Sequence, residues 1–314
     1  MMSNAYRSED SPSPVETPRL QHSQNFLRSA PLVSQLLGKT SITGDDLVVE
    51  IGPGEGIITA ELARRCAKVL AIEKDPILHA RLGRKFAAFP NVELHRADIL
   101  EFRLPIGAYK VFSNIPFSIT ADIIRKLTET QTTPSDTYLI VQRAAAERFA
   151  GVSHGKETQV SVLLKPFYTL SIMHQFRRTD FFPVPRVDIV MLRIEKRDPP
   201  RVRSSEAQLY RDFVVYAFNR WKPTLQQALA DVLTPIRFSQ VARTVHLSPS
   251  AKPTQVEFEQ WLGLFEAFLI TADERRKNVV RGSERKLRKQ QDGLQKIHRT
   301  RVAQNWRERS TRKL

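Results

Sequence analysis

The stretch S-N-I-P-F-S-I-T at 113–120 places a side-chain amide, a proline and an aromatic ring directly after Y-K-V-F at 109–112, which reads as a buried strand. Loop closure needs none of these residues; chemistry on an amine does. The Asn114 side chain carries one acceptor oxygen and one donor amide. Pro116 fixes its own φ and thereby aims the Ile115 carbonyl. Phe117 offers a flat face for a base, a contact worth roughly 1–3 kcal/mol in nucleic-acid sites. An aromatic exocyclic amine is a poor nucleophile because its lone pair is delocalised into the ring. Two acceptors, the Asn114 side chain and the Ile115 carbonyl, can hold its hydrogens and favour a tetrahedral nitrogen able to attack a sulfonium methyl in line. The protein then contributes orientation and electrostatics, and no strong general base is required.

A glycine loop supplies the second half of such a site. E-I-G-P-G-E-G at 50–56 puts Gly52, Gly54 and Gly56 at the exit of a first strand, where glycine allows a tight turn and close backbone approach to a ligand. A dinucleotide fingerprint would read G-x-G-x-x-G, but position 57 is Ile and the third glycine comes one residue early, which argues against NAD. G-x-G-x-G after an acid-ending strand resembles S-adenosylmethionine-dependent methyltransferases. Glu73 closes the second strand and can accept from both ribose hydroxyls. Asp98, ending the third strand, can accept from an adenine amine. Singly, either acid is more often a helix cap or a solvated turn residue. The combination with the loop makes the ligand-binding reading the better one.

The elements that must hold these residues follow from periodicity. Apolar runs at 47–51, 68–73, 92–98 and 109–114 read as strands, separated by helical patterns such as I-I-T-A-E-L-A-R-R-C and I-T-A-D-I-I-R-K-L-T-E. T-Y-L-I-V-Q then reads as a strand leading into a helix, and 187–194 as a last strand. Strands alternating with helices predict an α/β, Rossmann-like fold: a parallel sheet with helices on both faces and the site at the strands' carboxyl ends. R-D-P-P-R reads as a linker to a small all-helical C-terminal domain. The expected division is a disordered segment 1–19, a methyltransferase-like domain 20–198, a helical domain 199–272 and a basic, disordered tail 273–314.

Composition narrows the partners. The chain has 314 residues, 41% of them apolar, and no run long enough to span a membrane. The N-terminal residues lack a charged-then-apolar leader, and the single cysteine, Cys66, excludes an internal disulfide and a multi-cysteine metal site, so a cytoplasmic protein is expected. Net charge is +16, of which residues 275–314 carry +12, with 15 Lys/Arg against 3 acids. Such a tail neutralises phosphates and points to nucleic acid ahead of a merely solubilising role. The seven histidines have no ligand spacing, so no metal is expected. Trp221 and Trp261 are expected in the core of the helical domain, and Arg220 and Lys222 are as well explained by a solvated helix end as by phosphate contact.

N/D-x-P-aromatic is characteristic of amino-group methyltransferases. S-Q-N-F-L, E-I-G-P-G-E-G, A-I-E-K-D, A-D-I-L, S-N-I-P-F-S-I-T and F-F-P-V-P-R-V-D resemble, in that order, the motifs of the rRNA adenine N6-dimethyltransferase family, over about residues 20–270. The chain looks similar to its Erm branch, which modifies one adenine of 23S rRNA and confers macrolide–lincosamide–streptogramin B resistance. The resemblance implies S-adenosylmethionine as cofactor, contacted by Asn25, Leu27, Gly52, Gly54, Glu73, Asp98 and Asn114. It implies 23S rRNA as partner of a monomeric enzyme. It also implies that Asn114 holds the target amine, beside the Ile115 carbonyl that Pro116 aims in the residue reading above, that Phe117 stacks on the adenine, and that Phe181 closes the other side of the base pocket. Many relatives have Tyr where Phe117 stands, which preserves stacking, and often Ser where Ile189 stands. The alternatives are a KsgA-type small-subunit rRNA dimethyltransferase, which more often reads N-L-P-Y, and a non-catalytic nucleic-acid-binding factor on the same fold.

Overall fold

A computed structural model describes residues 25–130, 132–151 and 157–292. The expected disordered segment 1–19 and the last part of the basic tail, 293–314, lie outside the described residues. The chain enters through β1 (Phe26–Leu27) and α1 (Ala30–Leu37). It continues as β2 (Leu47–Ile51), α2 (Ile57–Ala63), β3 (Lys68–Glu73), α3 (Pro76–Lys85), β4 (Val92–Arg96) and β5 (Lys110–Asn114). Next come α4 (Thr120–Glu129), β6 (Asp136–Gln142), α5 (Arg143–Ala150), α6 (Gln159–Leu164), β7 (Tyr168–Gln175), β8 (Phe181–Phe182) and β9 (Ile189–Lys196). The rest is helical: α7 (Ala207–Phe218), α8 (Leu225–Ala228), α9 (Pro235–Thr244), α10 (Phe258–Thr271), α11 (Glu274–Val280) and α12 (Ser283–Asp292).

The main sheet has the order β4-β3-β2-β5-β6-β9-β7. Its first five strands are parallel, as expected, but β9 runs antiparallel to both β6 and β7. The wholly parallel sheet read from the sequence is therefore corrected at this edge. β7 is the element the periodicity does not reveal: it is a half-exposed edge strand with a register shift between Ile172 and His174, so its alternation is broken. The parallel strands read as continuous apolar runs because both faces are covered. Val49, Ile51, Leu70 and Ile72 pack into one apolar cluster with Ile123, Ile124 and Leu127 of α4. Their alternate neighbours Val48, Val69 and Ala71 pack on the other face with Val33 and Leu36 of α1 and Leu62 of α2.

The third cluster is built on Phe213, Trp261, Phe265 and Phe268, and it takes Val162 and Leu163 from α6. Trp261 is fully buried there, but Trp221 is 93% exposed, against the expectation that both are core. The helical order also runs further than expected. Residues 274–292, read from sequence as disordered tail, form α11 and α12. Two apolar residues anchor them, Val280 in the core and Leu287 against it. Asp212 of α7 accepts from the backbone N–H of Gly282 and Glu284, each at 2.9 Å, and so caps α12 from a distant part of the chain. No local periodicity announces a helix held in this way.

Candidate active site

The strand order reverses between β2 and β5: the chain leaves β2 towards β3 on one side and later places β5 on the other. Ligands of open α/β sheets bind outside the carboxyl ends of the strands at such a point. Gly52 follows β2 and Asn114 ends β5 there. Ser113 ties the two strands just behind them, its buried Oγ accepting from Ile51 N–H at 2.8 Å. One cavity opens between them, lined by Asn25, Leu27, Gly52, Asn114, Ile115 and Pro116, with Phe26, Pro53, Glu55, Ile57 and Ile58.

The N-terminal motif reaches this cavity through a two-stranded antiparallel pairing in which Phe26 faces Phe182 and Leu27 faces Phe181. Asn114 Nδ2 then donates to the Asn25 carbonyl at 2.7 Å. A carbonyl can only accept, so this bond fixes which end of the Asn114 amide is spoken for. Its Oδ1 has no protein donor among the described residues and remains open as an acceptor. Pro116 has φ −60° and ψ 126°, and a short 3₁₀ turn from Phe117 to Ile119 follows it. Phe117 is half-buried on the rim of the apolar cluster that contains Phe181.

The glycine loop is built for close approach. Gly52 and Gly54 have φ of +65° and +57°, a region in which side chains are strained. A Cβ on Gly54 would lie 2.6 Å from the Phe26 ring. Glu73 is buried beneath the loop, accepting from Gly54 N–H at 3.2 Å with one oxygen and from Asp75 N–H at 2.9 Å with the other. Burial pushes its carboxyl above the usual value, while those backbone donors pull the other way. Asp75 goes on to cap α3 through Ile77 and Leu78, which sets the turn that presents Glu73. Glu50, one strand inward, is wholly buried. Burial raises its carboxyl to about 8, with Thr59 Oγ1 donating to it at 2.6 Å and the Glu73 charge adding to the rise.

Asp98 lies two residues beyond the end of β4, which stops at Arg96 rather than reaching Asp98 as the sequence suggests. Its carboxylate pairs with Lys74 at 2.7 Å and accepts from Leu100 N–H at 2.9 Å; the Lys74 hydrogen bond holds its pKa below the usual range. Gly54, Glu73 and Asp98 flank the cavity rather than line it. Phe181 departs most from expectation. It is fully buried, packed edge-on against Phe176 with ring centroids 5.2 Å apart, and offers no open face to a base. The exposed aromatic of that segment is its neighbour Phe182. Sequence reasoning overlooks Phe26 and Pro53 as cavity residues although each sits inside a recognised motif, because a motif's polar members and glycines draw attention from the apolar residue between them.

A family model described as ribosomal RNA adenine dimethylase matches residues 15–269. The chain belongs to the ribosomal RNA adenine dimethylase family. The rRNA adenine N-6-methyltransferase of Limosilactobacillus reuteri is 30% identical over 252 residues, 80% of this chain and 97% of that protein. The ribosomal RNA small subunit methyltransferase A of Clostridium perfringens is 31% identical over 222 residues, 68% of this chain and 76% of that protein. Among solved structures, that of the 23S rRNA methyltransferase ErmE matches with a TM-score of 0.73 at 28% identity, covering 78% of this chain and 99% of that one.

This dimethylase-family chain is accordingly an S-adenosylmethionine-dependent rRNA adenine N6-methyltransferase. The residues present are compatible with the cofactor: Gly52 lines the cavity in a left-handed conformation with no side chain to obstruct a ligand, and the buried Glu73 carboxylate beside it has lone pairs beyond those taken by Gly54 and Asp75 N–H. When bound, S-adenosylmethionine supplies an electrophilic methyl group on a sulfonium. Among the described residues no helix is long and apolar enough to cross a membrane, and no group of three or more His, Cys, Asp or Glu is arranged to hold a metal ion.

Proposed function

We propose that the chain is an Erm-type enzyme that methylates N6 of one adenine in 23S rRNA, in the cytoplasm and as a monomer, and confers macrolide–lincosamide–streptogramin B resistance. The observation that carries this reading is the likeness to the ErmE structure over nearly all of that protein's length. In this reading Gly52, Gly54 and Glu73 hold the cofactor's loop-side and ribose groups, Asp98 exchanges Lys74 for the adenine amine, and Asn25, Leu27 and Asn114 border the cofactor's reactive end. The target adenine is turned out of its stack to reach Asn114. Asn114 Oδ1 and the Ile115 carbonyl accept its two amine hydrogens, Pro116 holds that carbonyl in place, and Phe117 stacks on the ring. Both acceptors oppose flattening of the nitrogen into the ring's π system, so the lone pair is free to react.

The second reading, a small-subunit enzyme, is favoured by the 31% identity to the Clostridium perfringens protein. Transfer of labelled methyl to protein-free 23S rRNA and to immature small subunits, with the modified base mapped, separates the two. Label at a single 23S adenine supports the Erm reading; label confined to the small subunit replaces it.

The basic C-terminal segment is assigned to RNA phosphates. Because α12 is packed into the fold, the informative deletion is 293–314, which carries seven Lys/Arg and one acid and leaves α12 in place. Removing it is expected to weaken rRNA binding and flatten its dependence on salt. Binding unchanged across several salt concentrations would remove the tail from the interface.

A further inference from the structure

We infer that Phe182, with the cations beside it, is a stacking subsite for a nucleotide neighbouring the target adenine in the rRNA strand. Phe182 is 60% exposed, although its chain neighbour Phe181 is completely buried. The pairing of Phe26 with Phe182 holds it on the rim of the active-site cavity, since Phe26 and Leu27 line that cavity. A groove continues from the cavity past this ring. It shares Phe26, Leu27, Glu55 and Ile57 with the cavity and adds Arg28, Arg64, Lys85 and Phe182. The Arg28 guanidinium lies 6.0 Å from the Phe182 ring centroid. Arg28 makes no ion pair among the described residues, and nor does exposed Arg186, four residues beyond Phe182. Of the groove's acids, Glu61 is taken by Arg64 at 2.5 Å, which leaves only Glu55 unpaired.

An exposed aromatic bordered by an arginine that makes no ion pair among the described residues suits a nucleotide: the open face of the ring takes the base and the Arg28 guanidinium takes the phosphate. A protein partner would call for a wider apolar patch; here the exposed apolar side chains beside Phe182 reduce to Val184 and Val187. The position is outside the acceptors and the cofactor cradle, so it acts on RNA affinity and register rather than on the methyl-transfer step.

The inference rests on rRNA methylation, not on which subunit is modified. Its test therefore uses the rRNA fragment, from either subunit, that the unaltered protein labels. Phe182→Ala is expected to raise KM for that fragment about tenfold, equivalent to about 1.4 kcal/mol, with kcat and KM for S-adenosylmethionine nearly unchanged. Phe182→Trp restores the KM, and Phe182→Leu, which keeps apolar bulk without a ring face, does not. A fragment with an abasic nucleotide beside the target shows the same loss in the unaltered protein and no further loss in Phe182→Ala. An unchanged RNA KM in Phe182→Ala overturns the subsite. So does a KM that rises equally for cofactor and RNA, which would place Phe182 in the cofactor site. Loss of label on every rRNA by the unaltered protein would instead strike the functional reading itself.

Discussion

Asn114→Ala is expected to lower the single-turnover rate of methyl transfer by on the order of 10²–10³-fold, the range seen when one preorganised polar group is removed from a reacting centre. The geometry explains the size of the effect. Asn114 Nδ2 is committed to the Asn25 carbonyl at 2.7 Å, so the substitution releases the N-terminal motif from the cavity and, in the proposed role, also takes the Oδ1 acceptor away from the amine. The side chain is only half-buried, so the fold should survive, and thermal melting monitored by circular dichroism is expected to be nearly unchanged. Asn114→Asp makes a sharper comparison. It keeps an acceptor towards the amine but sets a carboxylate against the Asn25 carbonyl, so activity should fall while a weaker grip on the cofactor appears in calorimetry. Full turnover by Asn114→Ala would remove this residue from the mechanism.

Glu284→Ala is expected to be the most destabilising of the substitutions considered, at about 3 kcal/mol, the lower end of the cost of stripping one partner from a buried ion pair. Arg211 Nε donates to both Glu284 oxygens at 3.0 Å, Arg288 reaches the same carboxylate at 2.9 Å, and both arginines also bind Glu129 at the end of α4, at 2.9 and 2.8 Å. The cluster therefore joins α7 and α12 of the helical part to α4 on the sheet. The Glu284 and Arg211 side chains are only 10% and 16% exposed, so solvent screens the pair poorly. Burial works against the Glu284 charge. Arg211, Gln208 and Arg288 outweigh it and hold the carboxyl down at about 2. A carboxyl depressed in the fold stabilises it above the unfolded value near 4.5, and that contribution is lost as pH falls from there towards about 2. Urea titrations at pH 7 and pH 3 provide the check. The gap between Glu284→Ala and the unaltered protein should be wide at pH 7 and narrower at pH 3. A gap that does not narrow would mean the carboxylate's charge is not what holds α12.

Much of the site is legible in the amino-acid sequence. Local patterns suffice where chemistry and secondary structure coincide on contiguous residues: the glycines after β2, the acid closing β3, and the amide, proline and ring after β5 each announce themselves within a few residues. The boundaries of β2 and β3 follow for the same reason, since strands covered on both faces must be apolar throughout.

Tertiary structure decided what depends on partners distant in sequence. Phe181 and Phe182 are chemically identical neighbours, and only the pairing with Leu27 and Phe26 determines that the first is sealed in the core and the second faces solvent. The alternation of a strand fixes that opposite residues differ in exposure but not which of the two is inside. The order of residues 274–292 is hidden from local pattern because their own composition is polar and basic; the cap from Asp212 and the ion pairs with Arg211 and Glu129 lie in other parts of the chain. The antiparallel direction of β9 is equally silent, since an apolar run reads the same whichever way its hydrogen-bonded neighbours point. By itself the sequence determined which groups could do the chemistry, because donors, acceptors and backbone freedom are properties of residue types. Which of those groups meet, and which are shut away, was settled by burial and long-range hydrogen bonding, which exist only in the folded chain.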